Sequence, residues 1–167
     1  NFKIDTSNII LGGYSYGGGI ALTAAIYNPE IKKIISIAGA DESVFGRKML
    51  ADQSYRSIRE QMLFESYYPN GPINGDFEAV ITFWLSNLDR YDLVLNADSL
   101  KDKDILLIGG WNDTGVPLEE HIIPLYRKLQ NLDANQLEIK AFNEGHSFQN
   151  VREELTETIY RWIINER

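Results

Sequence analysis

Gly13-Tyr14-Ser15-Tyr16-Gly17 places a serine between two glycines, directly after an apolar run and directly before a stretch of small residues. A hydroxyl held on a sharp strand-to-helix turn is exposed and ready to attack a carbonyl carbon. The flanking glycines are expected because side chains there would strike the neighbouring strand and helix, and Gly18 and Gly19 extend the close approach. The helix that follows aims its first N–H groups at developing negative charge, with the Tyr16 N–H as the expected oxyanion donor. A serine needs a base, and the base needs an orienting acid. The chain has two histidines. His146, in Asn143-Glu144-Gly145-His146-Ser147-Phe148, falls in the loop after the last strand-like segment. His121 falls inside a helical pattern and reads as a surface or packing histidine. Asp113 lies in the Trp111–Pro117 loop after another buried-type strand. It reads as the acid, or more blandly as a turn aspartate capping a helix at Pro117. Glu144 and Asn112 are nearby substitutes.

These residues need a scaffold that brings loop ends together. Apolar runs at Asn8–Leu11, Lys33–Ala38 and Asp104–Gly109 read as buried strands, and Leu137–Phe142 alternates, as a strand nearer an edge does. Helical patterns cover Gly17–Tyr27, Phe45–Glu65, Phe77–Leu88, Leu118–Asn131 and Val151–Ile164. Tyr67–Gly75 is dense in Pro, Gly and Asn and reads as a loop. Strands alternating with helices argue for an α/β fold, a parallel sheet of about four strands flanked by helices. Residues 1–167 form one domain, within which 46–98, poor in aliphatic strands and rich in Tyr, Phe and Trp, read as a helical cap insert.

Ile9–Gly19 (IILGGYSYGGG), Leu106–Pro117 (LLIGGWNDTGVP) and Phe142–Phe148 (FNEGHSF) together resemble the C-terminal half of an α/β-hydrolase, near the dienelactone-hydrolase and prolyl-oligopeptidase-like branches. The resemblance covers nearly the whole chain. It implies Ser15 as nucleophile after the family's fifth strand, with Asp113 and His146 after the seventh and eighth. The chain order Ser, Asp, His agrees. The family's first four strands have no counterpart here, nor has the loop that donates its second oxyanion N–H. The first strand is then expected to be an apolar edge that recruits another chain, either a second copy or an N-terminal half. The chain starts NFKIDT, without Met, as an excerpt of a longer polypeptide would.

The reaction expected is acyl transfer to water through an acyl-serine, with a carboxylic ester as the first-choice substrate. A peptide cleaved in the prolyl-oligopeptidase manner is the alternative, and a non-catalytic hydrolase-like module or inactive fragment is the third. Tyr14, Trp111 and Phe148 are expected to line the substrate site, with Tyr67, Tyr68, Phe83 and Trp84 as further aromatics of pocket or core. No cofactor and no metal are expected. The chain has no cysteine, so thiol nucleophiles, disulfides and Cys-ligated metals are excluded. A net charge of −8 without a basic run argues against nucleic acid. A nucleotide-binding domain is disfavoured because neither G-x-x-x-x-G-K-[ST] nor G-x-G-x-x-G occurs. With no run of 18 apolar residues, no membrane span is expected. The chain reads as soluble, with the cytoplasm favoured.

Overall fold

A computed structural model describes residues 9–134 and 136–164. Four strands, β1 (Ile10–Tyr14), β2 (Lys33–Ile37), β3 (Asp104–Gly110) and β4 (Gln136–Phe142), pair in parallel in the order β1-β2-β3-β4. The register joins Ile10 to Lys33, Lys33 to Asp104 and Asp104 to Gln136. The strands thus start level, and their carboxyl ends, with the loops that follow, lie along one edge. Helices fill the connections. These are α1 (Tyr16–Tyr27), α2 (Glu42–Ala51), α3 (Gln53–Phe64), α4 (Phe77–Ser86), α5 (Leu88–Tyr91), α6 (Leu118–His121), α7 (Ile123–Asn131) and α8 (Arg152–Ile163).

The pleat explains the two cores. Successive strand residues point to opposite faces. Ile34, Ile105 and Leu107 pack on one face with Leu22, Ala25, Leu125 and Leu129 of α1 and α7. Ile35, Leu106 and Ile108 pack on the other with Phe142, Phe148 and Trp162. Strands buried on both faces read as continuous apolar runs, which is why β2 and β3 stand out in the sequence.

Contacts divide the chain into two compact units. The first runs to Asp41 and resumes at Leu93; it holds the sheet. The second is Glu42–Asp92, against a sequence expectation of 46–98. The boundary falls earlier at each end. Residues 42–45 already belong to α2, and Leu93 and Ala97 are buried in the sheet unit's core. Where the chain leaves and resumes the sheet unit, its two ends are tied. The Leu93 N–H donates to Asp41 Oδ2 at 3.1 Å, and the Asp41 N–H donates to His121 Nδ1 at 3.1 Å. His121 is therefore a buried packing histidine and not a surface one.

Three further expectations need correcting. The first strand is not Asn8–Leu11 but Ile10–Tyr14, because it pairs with β2 through both glycines as far as Tyr14↔Ile37; Asn8 lies outside the described residues. The single helix expected over 45–65 is two, because Asp52 interrupts it and its carboxylate accepts from the Ser54 and Tyr55 N–H groups. The helix expected over 118–131 also divides, at Ile122, two residues before Pro124, which has no N–H to continue the ladder.

In the 42–92 unit, α2 packs close to α5: a Cβ on Gly46 would stand 2.2 Å from a Leu88 methyl. Arg47 ties the same two regions by donating to Ser43 Oγ at 3.0 Å and pairing with Asp92 at 2.7 Å. Phe77 meets Phe64 and Tyr67 edge-on at centroid distances of 5.5 and 5.3 Å. Two of the aromatics proposed from sequence differ in setting, since Tyr67 is in this cluster while Tyr68 is exposed.

Candidate active site

The turn between β1 and α1 holds Ser15 at φ 57°, ψ −125°. A non-glycine residue in such a sparsely populated region costs roughly 1–3 kcal/mol and persists only where its surroundings enforce it. Here they do. The Ser15 N–H donates to the Ile37 carbonyl at 2.8 Å, and the Ser15 carbonyl accepts from the N–H groups of Gly18, Gly19 and Ala40.

The glycines divide by necessity. A Cβ on Gly13 would stand 2.1 Å from the Gly17 carbonyl oxygen, one on Gly18 2.8 Å from Gly39 Cα, and one on Gly19 1.8 Å from the Ala40 oxygen. Backbone atoms cannot yield at these distances. Beyond its chain neighbours and the backbone of its own helix, no described atom lies within 4 Å of a Cβ on Gly17, so the expected collision at that position is absent. Helix α1 lies against the loop after β2 at Gly18 and Gly19, one and two residues further on.

Asp113 and His146 arrive from the loops after β3 and β4. Those loops extend the ladder past the strand ends: the Trp111 N–H donates to the Phe142 carbonyl at 2.9 Å and the Asn112 N–H to the Glu144 carbonyl at 3.0 Å. Asn112 Nδ2 donates to Asn143 Oδ1 at 3.0 Å, and Asn150 Nδ2 to Glu144 Oε1 at 2.7 Å. Of the two residues weighed from sequence as substitute acids, Asn112 instead clasps the two loops together, and the Glu144 carboxylate is engaged by Asn150 within its own loop.

His146 Nδ1 lies 2.6 Å from Asp113 Oδ2, and His146 Nε2 lies 2.9 Å from Ser15 Oγ. A carboxylate only accepts, so Nδ1 carries the proton and Nε2 is left to accept from the serine hydroxyl. The other Asp113 oxygen accepts from the N–H groups of Gly115 and Val116 at 2.9 and 2.8 Å. The turn role and the acid geometry thus coexist in one buried carboxylate, with one oxygen for each. The Asp113 side chain is 0% exposed and that of His146 35%, so the ring is reachable from solvent and its orienting partner is not.

The remaining candidates separate. Tyr16 opens α1, its backbone N–H next in the chain to Ser15, and its ring is exposed. Trp111 is exposed beside the Asp113 loop. Tyr14 touches His146 and not open space alone: its hydroxyl donates to the His146 carbonyl at 2.8 Å, and the ring centroids are 5.1 Å apart. Phe148 is a correction. It is 1% exposed, meets Phe142 edge-on and belongs to the core beneath the sheet, so it does not line a substrate site. A phenylalanine two residues after a loop histidine gives no local sign of which way it turns. Among the described residues, no group of three His, Cys, Asp or Glu side chains is placed to hold a metal ion, and no helix is long and apolar enough to cross a membrane.

A sequence model described as the prolyl oligopeptidase family matches residues 1–166. Solved structures share the fold. Acetyl xylan esterase 1 from Thermoanaerobacterium sp. JW/SL YS485 superposes with a TM-score of 0.60 at 20% identity, covering 96% of this chain and 46% of the esterase. Dipeptidyl peptidase 4 from Porphyromonas gingivalis gives 0.65 at 18% identity, covering 97% of this chain and 20% of the peptidase. An acylaminoacyl peptidase from Pyrococcus horikoshii gives 0.59 at 18% identity, covering 95% and 25%. The chain therefore spans about half or less of each of these proteins. No curated protein gives a significant sequence match. The fold is that of part of an α/β-hydrolase, as the resemblance implied.

Proposed function

The chain belongs to the prolyl oligopeptidase family, and from that premise we propose that it is a serine hydrolase in which Ser15, His146 and Asp113 carry acyl transfer to water. The observation that supports this most directly is the pair of contacts on one imidazole, 2.6 Å to a carboxylate and 2.9 Å to a hydroxyl on a strained turn. Ser15 Oγ attacks the substrate carbonyl carbon while His146 Nε2 takes its proton. Asp113 keeps the ring in the required tautomer and stabilises the imidazolium. The oxyanion forms against the Tyr16 N–H at the start of α1. His146 returns the proton to the leaving oxygen, then activates a water molecule that releases the acid from Ser15.

A carboxylic ester is the substrate we favour. Its alkoxide leaving group asks less of the acid and the oxyanion donors than an amide nitrogen does. A peptide is the second reading, and the family description favours it.

A fluorophosphonate probe tests the proposal. Stoichiometric labelling of Ser15, seen by intact mass and peptide mapping and lost in Ser15→Ala, is the expected result. Turnover should fall by about a million-fold in that variant, as it does when a triad serine is removed elsewhere. Esters cleaved in preference to Xaa-Pro amides support the first substrate reading, and the reverse order the second. Absence of labelling would overturn the acyl-serine reading and leave a hydrolase-like module without its chemistry.

A further inference from the structure

Ser15 and the residue before it grip the same histidine at different points. Ser15 Oγ meets the imidazole at Nε2, while the Tyr14 hydroxyl donates to the His146 main-chain carbonyl at 2.8 Å. The Tyr14 ring also lies against the imidazole, centroids 5.1 Å apart and planes inclined by 41°. The two side chains leave adjacent Cα atoms at the end of β1. That turn is itself fixed by the Ser15 backbone hydrogen bonds and the tight Gly13 contact. On the β3 side the His146 loop is tied through Asn112, which bonds Asn143 and the Glu144 carbonyl, and through Asp113 on the imidazole.

We propose that Tyr14 is a positioning residue that sets the distance from Ser15 to His146, and not a wall of the substrate pocket. This rests on the acyl-serine reading for its kinetic consequence but not for the contact itself. A tyrosine suits the task because its rigid ring spans the gap with few torsions to fix. Partial burial, and secondarily the Asp113 carboxylate, raise the Tyr14 pKa, so the hydroxyl remains a donor throughout the neutral range.

Tyr14→Phe keeps the ring and removes the hydroxyl, and Tyr14→Leu removes both contacts. With a small aryl acetate, kcat is expected to fall roughly twofold to tenfold in the Phe variant, the usual effect of losing one hydrogen bond. It should fall further in the Leu variant, with KM within about twofold in both. A wild-type kcat, or a loss carried in KM that grows with acyl size, overturns the proposal and makes Tyr14 a pocket residue. A second measurement does not depend on turnover. The sequence holds only two histidines, so a ¹⁵N-histidine spectrum reports His146 against His121. His146 ring signals should shift and broaden in Tyr14→Phe while those of buried His121 stay in place. Unchanged His146 signals would overturn the proposal. A wild-type protein that fails to react with ester or probe would refute the acyl-serine reading while this spectrum still decides whether Tyr14 holds His146.

Discussion

In the sheet unit, β3 buries six of its seven residues, and Ile34, Ile105, Leu106, Leu107 and Ile108 are at 0% exposure. In the 42–92 unit, α3 buries none of its residues and α4 only Ile81, while Ile58, Met62, Phe64 and Phe83 are exposed. Beside the Phe64–Phe77 contact, much of what holds α3 and α4 is local: an aspartate at each N-cap, Asp52 and Asp76, and an Arg56–Glu60 pair one turn apart. Packing across the sequence orders one region, and hydrogen bonds between near neighbours order much of the other. A site that needs three side chains held to within fractions of an ångström is better served by the first kind of order, and Ser15, Asp113 and His146 all belong to the sheet unit.

The largest effect tests whether the chemistry hangs on one polar contact inside that packing. Asp113→Asn should lower turnover by about 10⁴, because the amide favours the wrong imidazole tautomer. Amide exchange in both units should barely change. Wide loss of protection would show instead that Asp113 acts through the stability of its turn. Next in size, Leu107→Ala should cost about 2–5 kcal/mol in urea denaturation, since it opens a cavity in a layer with no slack. Ile58→Ala on exposed α3 should stay within about 0.5 kcal/mol. Similar costs at the two sites would erase the contrast. The smallest effect sharpens it: Asp52→Ala should lower the opening free energy of α3 by about 1 kcal/mol in native-state hydrogen exchange. The strand amides should not respond, and a response there would mean that α3 opens together with the sheet.

The same contrast governs what could be read from the chain. β2 and β3 are legible to within a residue because burial on both faces leaves an unbroken apolar run. Ser15, Asp113 and His146 are legible as a set because each falls just after a strand, and a parallel sheet gathers such loops at one edge. The breaks at Asp52 and at Ile122, two residues before Pro124, carry local signals that a helical period spanning them conceals. Other features carry no local signal. The bond from Asp41 to His121 joins residues far apart in sequence, and the clasp of Asn112 on Asn143 joins two loops. The burial of Phe148 follows from a left-handed backbone turn at φ 50°, which residue type alone does not disclose. Gly17 misleads in the opposite sense: it completes the G-x-S-x-G pattern, yet Gly18 and Gly19 meet the neighbouring backbone.

The bond between Asp41 and Leu93 has a consequence for how such a chain changes over evolutionary time. The segment from Glu42 to Asp92 begins and ends beside that hydrogen bond. Any segment whose two ends meet there leaves the register of β2 on β3 as it is, whether a short turn or a different bundle. The insert is in effect a cassette. A change of length between Glu42 and Asp92 would leave both partners of that bond, Asp41 and Leu93, within the unit that carries Ser15.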